Sequence, residues 1–492
     1  MYRKVRRYLY LTHRWLGIIM CLLFTLWFAS GAVLMYVHYP ALTEEERIGA
    51  YPPLSAASIS IGPAQALALA GAEHTGVASL RLNTLGGRPA YQVDGANRGP
   101  LTVFADNGSV LAPGLSPATA LKTVKHSGFA TPDAQPVYGG KIEMDQWTVS
   151  SRYNAFRPLH KIAMGDASGR VLYVSDITGQ IVLDTHRNER FWNWLGATIH
   201  WIYPLQLRRH PGLWSDIVTW LSLAGLLAIV TGAVIGILRL RPRKRYQRGG
   251  MSPYRDMRRW HHLLGLGCTV FLATFMFSGL MSMSPWGLFA SSTSARDQIL
   301  RYQGGLLGSA ETLPDPRAAS LDGIHEVNWR QVDGKVWLEL SDSTGDVRID
   351  AGDEGDSSRL NQRSIILQSL PALLANANVV SVTELPAHDA YYYGRSHRQR
   401  PLPVLRVQFD DPESSWYHVD PRSGAVRGRL THADRVQRWL YNGLHSLDFR
   451  MLLERRPLWD IVLLALMVLG CLFSLSAVVI GWRRLQRSLR MR

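Results

Sequence analysis

Four runs constrain this chain more than anything else in it. Residues 17–37, 217–238, 263–283 and 461–482 contain no Asp, Glu, Lys or Arg. Each is about 20 residues long, the length a helix needs to cross roughly 30 Å of hydrocarbon. Hydrophobic residues make up 47% of the 492 and charged residues 19%. That apolar excess is concentrated in the four runs, so the chain is expected to fold as a membrane protein of four spans, with the lipid bilayer as its first partner.

The net charge of +16 would suggest nucleic acid if it were spread over a surface. It is not. Residues 1–16, 239–259 and 483–492 together carry +18 and leave −2 for the rest. All three abut spans, the pattern of basic cytoplasmic flanks. Nucleic-acid binding is therefore set aside. Both termini and the 239–259 connection are expected in the cytoplasm, with 40–216 and 284–460 outside. The first run is too long for a signal-peptide core and no small-x-small cleavage site follows it, so it reads as a retained anchor. Cys21, Cys268 and Cys471 all lie within runs. They offer no disulfide framework, no cysteine metal site and no covalent haem attachment. The chain contains no nucleotide-binding signature.

The sequence repeats itself. THRWLG (12–17) aligns with WHHLLG (260–265) at an offset of 248, matching His13 to His261, Gly17 to Gly265 and Gly31 to Gly279. WNWLGATIHW (192–201) aligns with QRWLYNGLHS (437–446) at 245, matching His200 to His445, Trp214 to Trp459 and Gly236 to Gly481. FRPLHKI (156–162) and QRPLPVL (399–405) share Arg-Pro-Leu at 243. Matches in this order imply a tandem duplication. Each half reads as span, outer region, juxtamembrane helix and span. The boundaries fall at 1–39, 40–190, 191–240, a basic loop 241–257, 258–289, 290–433, 434–482 and a basic tail 483–492. Period-2 patches closed by turns occur at 101–111, 171–185 and 415–426, with helical stretches at 62–74 and 116–126. They predict α+β outer regions of helix plus antiparallel sheet, two units to each region. Residues 351–359 read as a polar linker.

An ionisable residue at a membrane span is a functional hypothesis by default. Four histidines recur as two repeat-related pairs, His13 with His261 and His200 with His445. A lone histidine there often only hydrogen-bonds at the interface; recurrence favours ligation. His13 is about 25 residues from the far end of its helix, or roughly 37 Å, so one metal cannot serve both pairs. A pseudo-twofold axis normal to the membrane gives two sites of two imidazoles each. Two imidazoles with no nearby carboxylate or thiolate suit haem iron, whose porphyrin supplies the other four ligands; zinc would want more protein ligands. Gly17 and Gly265, four residues beyond His13 and His261, either make room for a flat macrocycle or allow close helix packing. His262 is an alternative to His261, and His38 a possible extra outer ligand, although its repeat counterpart is Trp286. His126, His160 and His210 lack matched partners and read as structural.

These residues resemble a known family. THRWLG, the paired histidines before each return span, RPLHKI with YVSDITGQIV, and RPLPVLRV with YHVDPRSGAV are similar to the PepSY-associated transmembrane proteins. That group includes iron-regulated inner-membrane ferric-siderophore reductases. The resemblance covers almost the whole chain. It implies a four-helix transmembrane bundle with two b-type haems per chain and two periplasmic PepSY-like regions, in the bacterial inner membrane. It also implies haem-iron ligation by His13 and His261 on the inner side and by His200 and His445 on the outer side.

Three functions are weighed. The first is a haem oxidoreductase that reduces a periplasmic ferric chelate such as a ferric siderophore, with electrons from the cytoplasmic side supplied by another protein, a quinol or a diffusible reductant. Tyr391, Tyr392, Tyr393, Arg395 and Arg398 offer a docking patch for the chelate, although a packed strand with an exposed basic turn is the plainer reading of them. The second is a non-enzymatic PepSY anchor that binds or inhibits a periplasmic protein. The third, a transporter, finds little support, because the spans carry few polar groups and no broken helix.

Overall fold

The computed structural model describes residues 2–72, 76–95, 99–247, 250–291, 294–308, 313–350, 356–394 and 400–490. The chain divides into two compact units: 1–39, 191–290 and 433–492 form one, and 40–190 and 291–432 the other.

The first unit is a helical bundle. Its spans are Tyr2–Leu34, Pro211–Arg239, Asp256–Ser282 and Leu458–Arg490. All four are long and apolar enough to cross a membrane. Each extends beyond its charge-free run, because the flanking basic residues continue the helix into a polar zone. The first span packs on the second and fourth, and the third also packs on the second and fourth. The first and third therefore lie diagonally across the bundle. Phe28, Cys268, Leu272, Phe275, Trp459 and Leu463 form the buried centre. Gly470 admits the Phe28 ring, whose atoms would lie 2.5–2.6 Å from an added Cβ.

The second unit is built on antiparallel sheets. Residues 40–190 give β1 (Val77–Leu85), β2 (Arg88–Gly95), β3 (Pro100–Phe104), β4 (Val137–Ile142), β5 (Leu159–Ala163), β6 (Val171–Ser175) and β7 (Ile181–Thr185). Residues 291–432 give β8 (Ile324–Val332), β9 (Lys335–Asp342), β10 (Val347–Asp350), β11 (Val379–Leu385), β12 (Val404–Phe409), β13 (Trp416–Val419) and β14 (Val426–Leu430). Two four-stranded sheets, β4-β5-β6-β7 and β11-β12-β13-β14, each belong to one segment. The third has six strands in the order β10-β9-β8-β1-β2-β3. The two outer regions are thus not self-contained, as the sequence suggested. Each contributes half of a common sheet, joined where Arg81 faces Asn328.

The two halves keep the same register. β1 and β2 pair Leu85 with Arg88, and β8 and β9 pair Val332 with Lys335, each partner displaced by 247. Bulges fall between Val77 and Ser79 and between Ile324 and Glu326, again 247 apart. In the four-stranded sheets His160 faces Val174 and Leu405 faces Val419, both displaced by 245. The Arg-Pro-Leu match at 243 is therefore a slip of two residues. Identical letters outweighed strand register there, and register is what a half-buried sheet enforces.

Each sheet buries one face under helix. Ala66 and Leu67 of the helix Pro63–Leu69 pack with Leu80, Leu82, Tyr91, Val327 and Leu340. Ala120 and Val124 of the helix Pro117–Lys125 pack with Ile162, Leu172 and Val174. The 101–111 hairpin is shorter than expected, one bridge from Val103 to Val110 across a turn at Gly108. Gly108 has φ +75°, and a Cβ there would lie 2.8 and 2.9 Å from Ile61 and Leu69 methyls.

The common sheet also holds a buried ion pair. Arg47, on the short helix Glu44–Gly49, forks onto Glu326 of β8, with Nη2 to Oε1 at 2.8 Å. Asn83 of β1 adds a longer contact of 3.4 Å. Burial opposes ionisation of Glu326, but the Arg47 charge outweighs it and holds the carboxyl down to about 2. Glu326→Gln leaves Arg47 without its counter-charge and is expected to cost about 3–5 kcal/mol. Urea unfolding of the whole chain followed by tryptophan fluorescence measures it. A carboxyl depressed in the fold contributes stability above its unfolded value of about 4.3. This contribution should therefore disappear as pH falls from about 5 towards 2, and the Glu326→Gln variant should lack that part of the pH dependence.

Candidate functional site

Across the diagonal of the bundle, near the end that carries both chain termini, His13 of the first span meets His261 of the third. Their ring centroids are 6.4 Å apart. Towards the opposite end His200 meets His445 at 6.0 Å. The structure thus brings together both pairs that the repeat predicted. With metal–imidazole bonds of about 2.0–2.1 Å, two rings on opposite sides of one metal have centroids roughly 6 Å apart.

The hydrogen bonds fix each ring's tautomer. His13 Nδ1–H donates to the Ala228 carbonyl at 3.0 Å. His200 Nδ1–H is shared between the Trp27 carbonyl at 3.1 Å and Ser30 Oγ at 3.2 Å. Ser30 spends its own proton on the Leu26 carbonyl, 2.6 Å away, so its oxygen accepts. His445 repeats this with the Phe275 carbonyl at 3.2 Å and Ser278 Oγ at 3.0 Å. His261 Nδ1–H donates to Ser476 Oγ at 2.9 Å, whose proton goes to the Phe473 carbonyl. In all four rings Nδ1 carries the hydrogen, so Nε2 keeps its lone pair, and among the described residues no hydrogen bond uses it. This is the form in which imidazole binds a metal.

His262 differs. Its Nε2–H donates to the Gly236 carbonyl at 2.9 Å, and its Nδ1 accepts from Ser252 Oγ at 2.8 Å. Both nitrogens are occupied and Tyr254 closes edge-on over the ring. Of the two adjacent histidines, the structure brings His261 to His13. His38 lies past the end of the first span, where its carbonyl accepts from Asn193 at 2.7 Å. His160 is held between Asp176 and the Tyr138 hydroxyl, and His126 bonds the Lys122 carbonyl.

The local chain path explains why His200 and His445 reach inward. Each follows a π-helical turn, Trp194–Thr198 and Trp439–Gly443. Two residues further on, Ile202 and Leu447 have φ of +52° and +50°. Bulky residues seldom occupy that region, and such strain gathers at functional sites. The turn dips back so that His200 meets Trp27, 14 residues from His13. Phe275 stands at the same spacing from His261. The two levels are therefore about 21 Å apart along the spans, still too far for one metal to serve both pairs.

The glycines divide by role. Cβ atoms at Gly31 and Gly279 would meet the Cε1 of His200 and of His445 at 3.3 and 3.7 Å. At Gly232 the distance to His13 Cε1 would be 2.6 Å. Gly17 faces open space, as a macrocycle would need, whereas Gly265 admits Phe473, which stacks on His261 at 4.8 Å. Ser30 and Ser278, missed in the sequence, share the 248 offset of His13 and His261 and were detectable by it.

The proposed docking patch is largely not a surface. Tyr392 is 1% exposed, stacks on His418 at 4.7 Å and donates its hydroxyl to the Pro401 carbonyl. Its ring fills a gap in the second unit, which rules it out as a docking group. Tyr391 packs edge-on against Trp416, and Tyr393 is half-buried. Arg395 and Arg398 lie outside the described residues.

Opposition of the two inner histidines can be tested without any cofactor. In a background lacking Cys21, Cys268 and Cys471, His13→Cys with His261→Cys should be joined efficiently by a short bis-thiol reagent. Cleavage at a protease site placed in 243–250, read by gel mobility, would then leave the fragments linked. His13→Cys with His262→Cys should link far less.

Comparison with known proteins agrees in one respect and is silent in another. The family model described as the PepSY-associated TM region matches residues 10–484. No curated protein matches the chain.

Proposed function

We propose that this chain, which belongs to the PepSY-associated TM family, is a membrane electron carrier with two b-type haems. It would reduce a ferric chelate, such as a ferric siderophore, on the outer side of a bacterial inner membrane. Electrons would come from a protein donor or a quinol on the cytoplasmic side. One observation carries the reading: two pairs of imidazoles with ring centroids 6.4 and 6.0 Å apart, all four with Nδ1 hydrogen-bonded and, among the described residues, no hydrogen bond at Nε2.

The donor set favours haem over a bare ion. Among the described residues there is no cluster of three or more His, Cys, Asp or Glu able to hold a metal. A pair of imidazoles therefore suits a metal that brings its remaining ligands with it. His13 and His261 would hold the inner group, and His200 and His445 the outer one. When bound, a haem iron with two imidazole ligands gains and loses single electrons without opening a position for oxygen.

The chain's own contribution is orientation and exclusion of water. Carbonyl and serine acceptors hold the rings and raise their basicity. Met20, Phe24, Cys268 and Leu272 are buried between the two levels and keep the path dry. The matched registers and paired sites support a tandem duplication. Basic flanks support cytoplasmic termini, with 40–190 and 291–432 in the periplasm as PepSY-like regions. Reduction of Fe(III) to Fe(II) weakens its bonds to hard oxygen ligands and so releases iron.

The test is a reduced-minus-oxidised spectrum with a pyridine haemochrome assay on detergent-purified protein. Two haems b per chain are expected, with about half lost in His13→Ala and half in His200→Ala. A colourless protein from a haem-replete host would overturn the reading and leave a PepSY anchor. The glycine contacts give a second expectation. Gly31→Val should deplete the outer site and spare the inner one, whereas Gly17→Ala should retain both haems by the same assay.

A further inference from the structure

The second unit contains two equivalent gaps beside the junction of β1 and β8, and only one is filled. The displacement of 247 that relates β8 to β1 makes Glu326 the counterpart of Ser79, and Arg330 the counterpart of Asn83. In the filled gap the Glu326 carboxylate lies between the Arg47 fork and Asn83. In the other gap Ser79 replaces the glutamate, and the space is a cavity of about 240 Å³. Tyr302 and Gly424 close part of its wall, Trp329 another part, and Arg330 and Arg427 line it from two different sheets.

Both arginines keep donors to spare. Glu339 takes Nε and Nη2 of Arg330 at 2.8 and 2.7 Å, leaving Nη1 without a protein partner among the described residues. Asp420 takes Nη2 of Arg427 at 2.8 Å, leaving Nη1 without a protein partner among the described residues. The open gap therefore has two arginines on its wall, one of them at the place of Asn83, but lacks the twin's carboxylate.

We propose that this cleft binds a small carboxylate anion, which takes the place beside Ser79 that Glu326 occupies in the filled gap. Planar two-oxygen groups match guanidinium forks, as Arg47 and Glu326 already demonstrate. The ligand assignment concerns the outer unit alone and stands whether or not the spans hold haem.

The experiment uses the full-length protein in detergent, with citrate and inorganic phosphate as probes and the quenching of tryptophan fluorescence plus calorimetry as readouts. Citrate is expected to bind, and Ser79→Glu should weaken it at least tenfold by placing the protein's own carboxylate in the cleft. Ser79→Glu should melt no lower than the wild type, which separates occlusion from unfolding. Arg427→Gln should also weaken citrate at least tenfold, while Ser79→Ala should stay within about threefold of wild type. Three results would each overturn the proposal: no citrate binding, phosphate bound in preference to citrate, or citrate binding unchanged in both Ser79→Glu and Arg427→Gln. None of these outcomes depends on haem content, so failure here is distinguishable from failure of the electron-carrier reading.

Discussion

The hydrogen bond from histidine Nδ1 to a neighbouring helix is the constraint on which the bundle's arrangement depends. A carbonyl inside a helix already accepts one N–H but retains a second lone pair. Ala228, Trp27 and Phe275 use that spare capacity for an imidazole. Such a bond forms only if the ring lies against the helix backbone. That in turn demands small residues at the contact, which Gly31, Gly279 and Gly232 provide. It also demands that the chain before each return span turn inward, which the π-helical turns and the left-handed residues Ile202 and Leu447 accomplish. A left-handed bulky residue costs about 1–2 kcal/mol. That cost recurs at the same place in both halves, two residues after the outer histidine.

In the second unit a different interaction ties the halves together. β1 and β8 meet at the centre of one six-stranded sheet, and the bonding there links Arg81 with Asn328 and Leu82 with Val327, residues of opposite halves of the chain. Neither half-sheet would close its central edge alone, and an unpaired edge is a liability. The Arg47–Glu326 pair crosses the same junction, from the first outer segment to the second. Backbone pairing and a buried ion pair therefore both make the two segments one folding unit.

Much of this was legible in the sequence, and the limits have physical causes. Spans follow from length and lack of charge, and the histidine pairs from their repeat offsets. Ser30 and Ser278 obey the same offset but lack the chemical signal that draws attention to a histidine in a span. The choice between His261 and His262 required hydrogen-bond partners from Gly236, Ser252 and Ser476, residues far away in the chain. The shared sheet was illegible because strand alternation predicts which face is buried, and says nothing about which strand lies alongside. Tyr392 looked like a surface aromatic beside basic residues, yet the ring of His418 covers it.

Comparison of the halves separates what the repeat keeps from what it varies. The imidazoles, the serines behind the outer pair, the glycines facing that pair and the strained turns occur twice. Around the inner pair the halves already differ: His13 rests on a backbone carbonyl, whereas His261 rests on a serine and stacks on Phe473. Twin rings with unlike acceptors have unlike basicity, since an acceptor at Nδ1 tunes the nitrogen across the ring. In the second unit the difference is larger. One gap is completed by the protein's own glutamate, and its twin is left open between two arginines that retain unused donors. The two halves are thus alike at the paired imidazoles of the bundle, where ring, acceptor and glycine must all fit one another, and unlike in the sheets, where one strand register encloses different contents.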